Sequence, residues 1–138
     1  INYRSDAFDE AIMAATDGEG VDVILDMVGG DYVKKNLTIL RPEGRLVQIA
    51  FLASPKIEFN MLPIMLKRLT VTGSTLRPQS VEAKARIAAA LEQEVWPLIA
   101  SRTIGPVMDS TYSLADAAAA HARMESGDHI GKIVLSVK

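Results

Sequence analysis

Apolar positions along this chain alternate between two spacings, one helical and one extended. Phe8, Ala11, Ile12 and Ala15 recur at helical intervals, and Val21 to Met27 follows as a short β-rich run whose only charges are Asp22 and Asp26. Such a run reads as a strand covered on both sides. Val33, Leu37 and Leu40 return to helical spacing, Arg45 to Phe51 reads as a strand, and Leu62, Met65, Leu66 and Leu69 share one helix face. Leu69 to Thr75 alternates as a further strand, and Ile87, Leu91, Val95 and Leu98 line the longest helix, bent at Pro97. Val107 to Tyr112 holds a short strand, Ala117, Ala118, His121 and Met124 form the inner face of an alanine-rich helix, and Lys132 to Val137 closes the chain as a strand. Ile1 to Tyr3 reads as the stub of one more. Strands alternating with helices in this way predict parallel pairing and right-handed crossovers, hence an α/β fold with helices on both faces of a sheet.

Punctuation supports these boundaries. Ser5 or Asp6, Asp31, Asn60 and Ser80 are placed to cap helices, because their side-chain oxygens can accept unpaired backbone N–H groups. Ser113 and Asp116 have capping-box spacing. Gly18 and Gly127 can take the left-handed conformation that ends a helix, and Arg41-Pro42-Glu43-Gly44 carries a type I turn signal.

Length and composition narrow the class. A chain of 138 residues with 49% hydrophobic and 23% charged positions is that of a globular domain with a substantial core. A net charge of −2 without any basic block leaves no footprint for nucleic acid or an anionic membrane. No apolar run reaches the roughly 20 residues that cross a bilayer. A cytoplasmic protein is therefore expected. With no cysteine there is no disulfide, thiolate catalysis or cysteine zinc site in the chain. The opening Ile1-Asn2-Tyr3, without an initiator Met, reads as the start of a piece of a longer protein.

In an open parallel sheet, ligands gather at the carboxyl ends of the strands. Here those ends are Val28-Gly29-Gly30, Ala50-Phe51-Leu52 and Ser74-Thr75-Leu76, all small, apolar or hydroxylated, a wall on which a flat ring could lie. For Gly29-Gly30 alone, a simple turn is the commoner outcome. Neither a G-x-G-x-x-G fingerprint nor a P-loop is present, so the chain cannot hold a complete dinucleotide site. No catalytic constellation stands out. His121 lies on an apolar helix face, where packing is its commoner role, and His129 lies in a loop beside Gly127 and Gly131, where solvation is. Two histidines without helix-spaced carboxylates do not make a metal site. Asp22 and Asp26, four apart on a strand, share a face, for which solvent or capping contacts are commoner than paired acid–base work. If the strand at Leu69 to Leu76 lies at the sheet edge, its open backbone groups could pair with a second copy of the chain, or the following segment could cover them.

Five stretches, Ile1-Asn2-Tyr3, G-V-D-V-I-L-D-M-V-G-G from Gly20, G-R-L-V-Q-I-A-F from Gly44, L-K-R-L-T-V-T-G-S-T-L-R from Leu66 and G-D-H-I-G-K-I-V-L from Gly127, together resemble the carboxyl-terminal part of a zinc-free medium-chain dehydrogenase/reductase of the NADPH:quinone oxidoreductase type. The resemblance implies that residues 1–105 supply the second half of a Rossmann domain and 106–138 a tail returning to a catalytic domain outside the chain. It implies NADPH as cofactor, with Tyr3 near the 2′-phosphate, Val28 and Gly29 beside the adenosine and ribose, Ile49, Ala50 and Phe51 near the nicotinamide ribose, and His129, Gly131 and Lys132 in the closing loop. Relatives often carry Asn where His129 stands. The implied chemistry is hydride transfer from NADPH to a quinone or enone without zinc, in a homodimer joined through edge strands, with the isolated fragment inactive. The competing class is a free-standing α/β binding or signalling module, which would need acidic groups and a lysine where these strand ends carry Gly, Phe and Thr.

Overall fold

The computed structural model describes residues 1–137. It divides into two compact units, Ile1–Gln79 and Ser80–Lys138.

The first unit is built on a parallel sheet of β1 (Val21–Asp26), β2 (Leu40–Gln48) and β3 (Thr70–Gly73), in that spatial order. Helices α1 (Phe8–Ala15), α2 (Tyr32–Ile39) and α3 (Leu62–Lys67) connect and cover it. Ile24 pairs with Leu46, and Leu46 with Val71, so the three strand ends finish level. The core lies where α2 and α3 pack on β2: Val33, Leu37, Leu40, Leu46 and Leu69 are buried together, with Ile24 and Ile64 against them. Each leucine buried there contributes about 1.5–3 kcal/mol.

Coverage is one-sided. Ile24 and Asp26 point toward α2, whereas Val23 and Leu25, on the alternate face of the strand, are 61% and 64% exposed. The expectation of a strand buried on both faces thus holds for one face. Phe8 of α1 stacks on Tyr32 of α2 with ring centroids 5.0 Å apart. Lys35 reaches across to Asp9 at 2.7 Å, which holds the Asp9 carboxyl below its ordinary value.

Several local expectations are corrected. Ile1 to Tyr3 forms no strand, because no neighbouring strand pairs with it; Asn2 instead starts a turn in which its carbonyl accepts from Ser5 and Asp6. Ala7, not Ser5 or Asp6, occupies the α1 N-cap, and the Asp6 carboxylate accepts from the Asn2 N–H. Asp31 stands at the α2 N-cap without a capping bond and pairs with Lys34. Leu40 is the first residue of β2, paired with Val21, after which residues 41–44 bulge out and pairing resumes at Val23 and Arg45. Glu43 has φ 67°, the conformation of the third residue in a type II rather than a type I turn. β2 ends at Gln48, so Ile49 to Phe51 lie beyond the strand. Asn60 does accept from the Leu62 N–H at 2.9 Å, although Met61 holds the cap position.

The second unit comprises α4 (Val81–Glu94), α5 (Trp96–Ala100), β4 (Met108–Ser113), a short 3-10 turn (Leu114–Asp116), α6 (Ala117–Ser126) and β5 (Lys132–Ser136). β4 and β5 form a two-stranded parallel sheet. Ser80 caps α4 as expected, its hydroxyl accepting from the Ala83 N–H at 3.2 Å. The helix breaks at Val95 instead of bending at Pro97, and α5 begins there with the proline in its first turn. Ser113 bonds the Asp116 carboxylate directly at 2.6 Å, so this pair joins two side chains and caps no backbone group. Ala120, not His121, is the buried residue of α6; His121 and Met124 border a shallow recess above β5 instead. Gly127, at φ 69°, ends that helix. Among the described residues, no helix is long and apolar enough to cross a membrane.

Candidate functional site

The carboxyl edge of the three-stranded sheet is where the first unit concentrates its open, structured backbone. Beyond β1 and β2 the two chain segments remain joined: Ile49 N–H bonds the Asp26 carbonyl, Leu52 N–H that of Met27 and Ala53 N–H that of Val28, at 2.9, 3.0 and 2.9 Å. Gly30 N–H returns a bond to the Ser54 carbonyl at 2.9 Å. This seam brings Val28, Gly29, Ile49, Ala50 and Phe51 into one wall. The Phe51 ring packs directly over Gly29, which is buried at φ 69°.

Two recesses flank the wall. One, of 470 Å³, is lined by Tyr3, Val28, Tyr32, Leu52 and Ala53. The other, of 250 Å³, is lined by Gln48, Ile49, Ala50, Phe51, Gly73, Ser74 and Thr75. Both are largely apolar, as a surface for a flat ring requires. At Tyr3 the Arg4 guanidinium lies 5.9 Å from the ring centroid and donates to the hydroxyl at 3.3 Å, placing a cation at the rim.

The turn after β1 is organised by a buried carboxylate. Asp26, 4% exposed, accepts from the N–H groups of Val28 and Gly29 at 2.6 and 3.0 Å with Oδ1, and from the Asn36 amide at 3.0 Å with Oδ2. Asp22 has a different fate: it is exposed and paired with Arg41 at 2.9 Å. The two aspartates therefore form no acid–base pair, and capping accounts for Asp26. Tyr32, Asn36 and Gln48 were not among the residues expected from sequence. A tyrosine in the first turn after the glycines and a lone polar residue at an apolar strand end were the available signals.

His129, Gly131 and Lys132 belong to the second unit. Asp109 of β4 organises their loop: its carboxylate pairs with Arg123 at 2.9 Å and accepts from the Ile130 N–H at 3.1 Å. The Arg123 guanidinium, then the Ile130 N–H and the Ser110 hydroxyl, hold the Asp109 carboxyl well below the usual carboxylate range. His129 Nδ1 is buried without a hydrogen-bond partner. Lys132 N–H bonds the Val107 carbonyl at 2.8 Å. Among the described residues no group of three or more His, Cys, Asp or Glu could hold a metal ion.

Comparison with known proteins gives this edge a family. Residues 1–135 match the family model described as zinc-binding dehydrogenase. The highly reducing polyketide synthase cm3B of Cordyceps militaris is 33% identical over 134 residues, which is 97% of this chain and 5% of that protein. The crystal structure of CurK enoyl reductase superimposes with a TM-score of 0.69 at 27% identity, covering 98% of this chain and 40% of that one. A structure described as an NADPH:quinone reductase of Bacillus thuringiensis shares the fold, with a TM-score of 0.67 at 24% identity over 96% of this chain and 40% of its own. The chain thus spans only a small part of the curated relatives it matches. It belongs to the zinc-binding dehydrogenase family, with the parallel α/β fold of that family's nucleotide-binding half.

Proposed function

We propose that this chain is the distal half of the nucleotide-binding domain of an NADPH-dependent enoyl reductase, a refinement of the expected quinone or enone reductase. The observation that carries this reading is the apolar wall at the carboxyl edge, in a chain whose likeness to a polyketide synthase runs end to end. The residues fit the flat parts of a nicotinamide dinucleotide: the recess at Tyr3 and Val28 would take the adenosine end, with Arg4 near a 2′-phosphate, and the recess at Ile49 to Phe51 the nicotinamide ribose. They supply no glycine-rich cradle for the pyrophosphate, which this reading assigns to another part of the complete protein.

When bound, the cofactor supplies a hydride to the β-carbon of an α,β-unsaturated thioester, and a proton completes the α-carbon. The chain's own contribution is positioning and water exclusion. Val28 and Phe51 present apolar surface, and the seam between residues 26–30 and 49–54 keeps that surface rigid. Exposed Val23 and Leu25, on the face that α2 leaves open, fit a sheet whose second face is covered by helices from the rest of such a protein.

NADPH oxidation by the complete protein, followed at 340 nm with a short enoyl thioester and in parallel with a quinone, tests the proposal. Faster turnover of the thioester is expected. Preference for the quinone would return the acceptor to the quinone class, and no oxidation with either would overturn the reductase reading.

The same reading includes a homodimer through β3. That strand is one of the two edges of the three-stranded sheet, and residues Thr70 to Gly73 are exposed. Ser74 N–H points inward to the Gln48 carbonyl, so strand alternation turns the N–H groups of Val71 and Gly73 toward the open edge. Val71→Pro removes one outward donor without touching the β2 ladder. Light scattering should then show a monomer for the variant and a dimer for the unaltered protein; an unchanged dimer would place the contact elsewhere.

A further inference from the structure

Two polar side chains at the carboxyl edge, buried Asp26 and half-buried Gln48, remain without a role in hydride transfer, and both act on the wall. Asp26 gathers the N–H groups of Val28 and Gly29 on one carboxylate oxygen while the Asn36 amide, from α2, fixes the other oxygen. Gln48, at the end of β2, donates its amide both to the Asp26 carbonyl at 3.2 Å and to the Ala50 carbonyl at 2.6 Å. One side chain therefore sets the peptide planes of Val28 and Gly29, and the other ties the first strand end to Ala50 of the second.

We propose that Asp26, oriented by Asn36, and Gln48 are positioning residues for the dinucleotide, fixing the Val28–Gly29 and Ile49–Ala50 backbone in the orientation that the cofactor meets. This inference rests on the reductase reading. The alternative for such groups is a general contribution to folding, and the two differ in what they do to kinetics. Buried donors left without an acceptor turn elsewhere, so the Val28 and Gly29 peptides reorient once the carboxylate is gone. A misplaced wall weakens cofactor binding. A merely less stable protein has fewer active molecules, which lowers apparent kcat and leaves KM alone.

The test uses the complete protein. Asp26→Ala should raise KM for NADPH about tenfold, the scale expected for stranding buried donors, with kcat at saturation nearly unchanged. Asp26→Asn should restore KM to near the unaltered value, because its one oxygen can still accept both N–H groups while the Asn36 amide turns over to accept from its nitrogen. Gln48→Leu should also raise KM, and it carries the test if Asp26→Ala does not fold. A fall in kcat at unchanged KM in the variants would overturn the proposal, as would an Asp26→Asn variant as impaired as Asp26→Ala. If the unaltered protein neither binds NADPH nor transfers hydride, the reductase reading fails by itself. Amide exchange at Val28 and Gly29 tests the hold on the backbone separately from that reading: in a protein that binds NADPH, faster exchange in Asp26→Ala than in Asp26→Asn supports the positioning role, and equal exchange overturns it.

Discussion

Gly131→Ala is expected to destabilise the β4–β5 pair by about 4 kcal/mol, at the upper end for a single substitution, and amide exchange across Met108–Ser113 and Lys132–Ser136 should accelerate accordingly. Gly131 has φ 104°, a backbone conformation that residues with a Cβ rarely adopt. Its Cα also faces the Val107 main chain so closely that a methyl group would run into the Val107 carbonyl oxygen. That carbonyl is the acceptor for the Lys132 N–H, the bond that opens the β4–β5 ladder. The chain cannot move Val107 aside without giving up this bond. The clash is backbone on backbone, which no side-chain rotation relieves. Unchanged exchange in the two strands would show that the β4–β5 pair tolerates the shift. The resemblance had placed Gly131 beside the cofactor; the close approach to Val107 gives it a packing requirement independent of any ligand.

The contrast between Gly131 and Asp26 shows what could be read from residues alone. Alternating helical and extended spacing located the strands β1 to β5 and the helices α1 to α4 and α6, because amphipathic periodicity is a local property. It added a false strand at Ile1 to Tyr3, merged α5 into α4 and missed the 3-10 turn at Leu114–Asp116. Strand order was not legible, and an edge position for β3 was only one of two alternatives. They depend on which strands neighbour one another, and that is set by contacts between Leu46 and residues such as Leu37 and Leu69 that lie far apart in sequence. Caps were read well where the helix start was isolated, as at Ser80, and poorly where a competing partner was near, as where Asn2 draws away Asp6 and Lys34 draws away Asp31. The wall itself was anticipated as small and apolar strand ends. Of its supports, Asp26 was anticipated only as far as solvent or capping contacts, left undivided, and Gln48 was not anticipated, because a polar residue at a strand end reads equally well as solvated until the turn closes over it.

Gly29→Ala tests that wall most directly, with an expected loss of about 3 kcal/mol in stability and a marked weakening of NADPH binding. Two costs combine. At φ 69° an alanine bears the left-handed penalty of about 1–2 kcal/mol. Its methyl would also stand 2.7 Å from both the Phe51 ring and the Ser54 carbonyl oxygen, an overpacking of about 1–3 kcal/mol. The Phe51 ring can rotate away, whereas the Ser54 carbonyl is held by the Gly30 N–H at 2.9 Å. Relief therefore comes by displacing Phe51, which widens the recess at Ile49 to Thr75 and uncouples the two strand ends. Denaturant unfolding measures the first effect and calorimetric titration of the complete protein with NADPH the second. Phe51→Ala in the Gly29→Ala background removes the ring contact but not the Ser54 contact or the backbone penalty. It should recover part of the stability and none of the affinity if Phe51 itself forms the cofactor surface. Recovery of both would mean that Phe51 only fills space above Gly29, and the cofactor would then have to meet this edge through Ile49 and Ala50 alone.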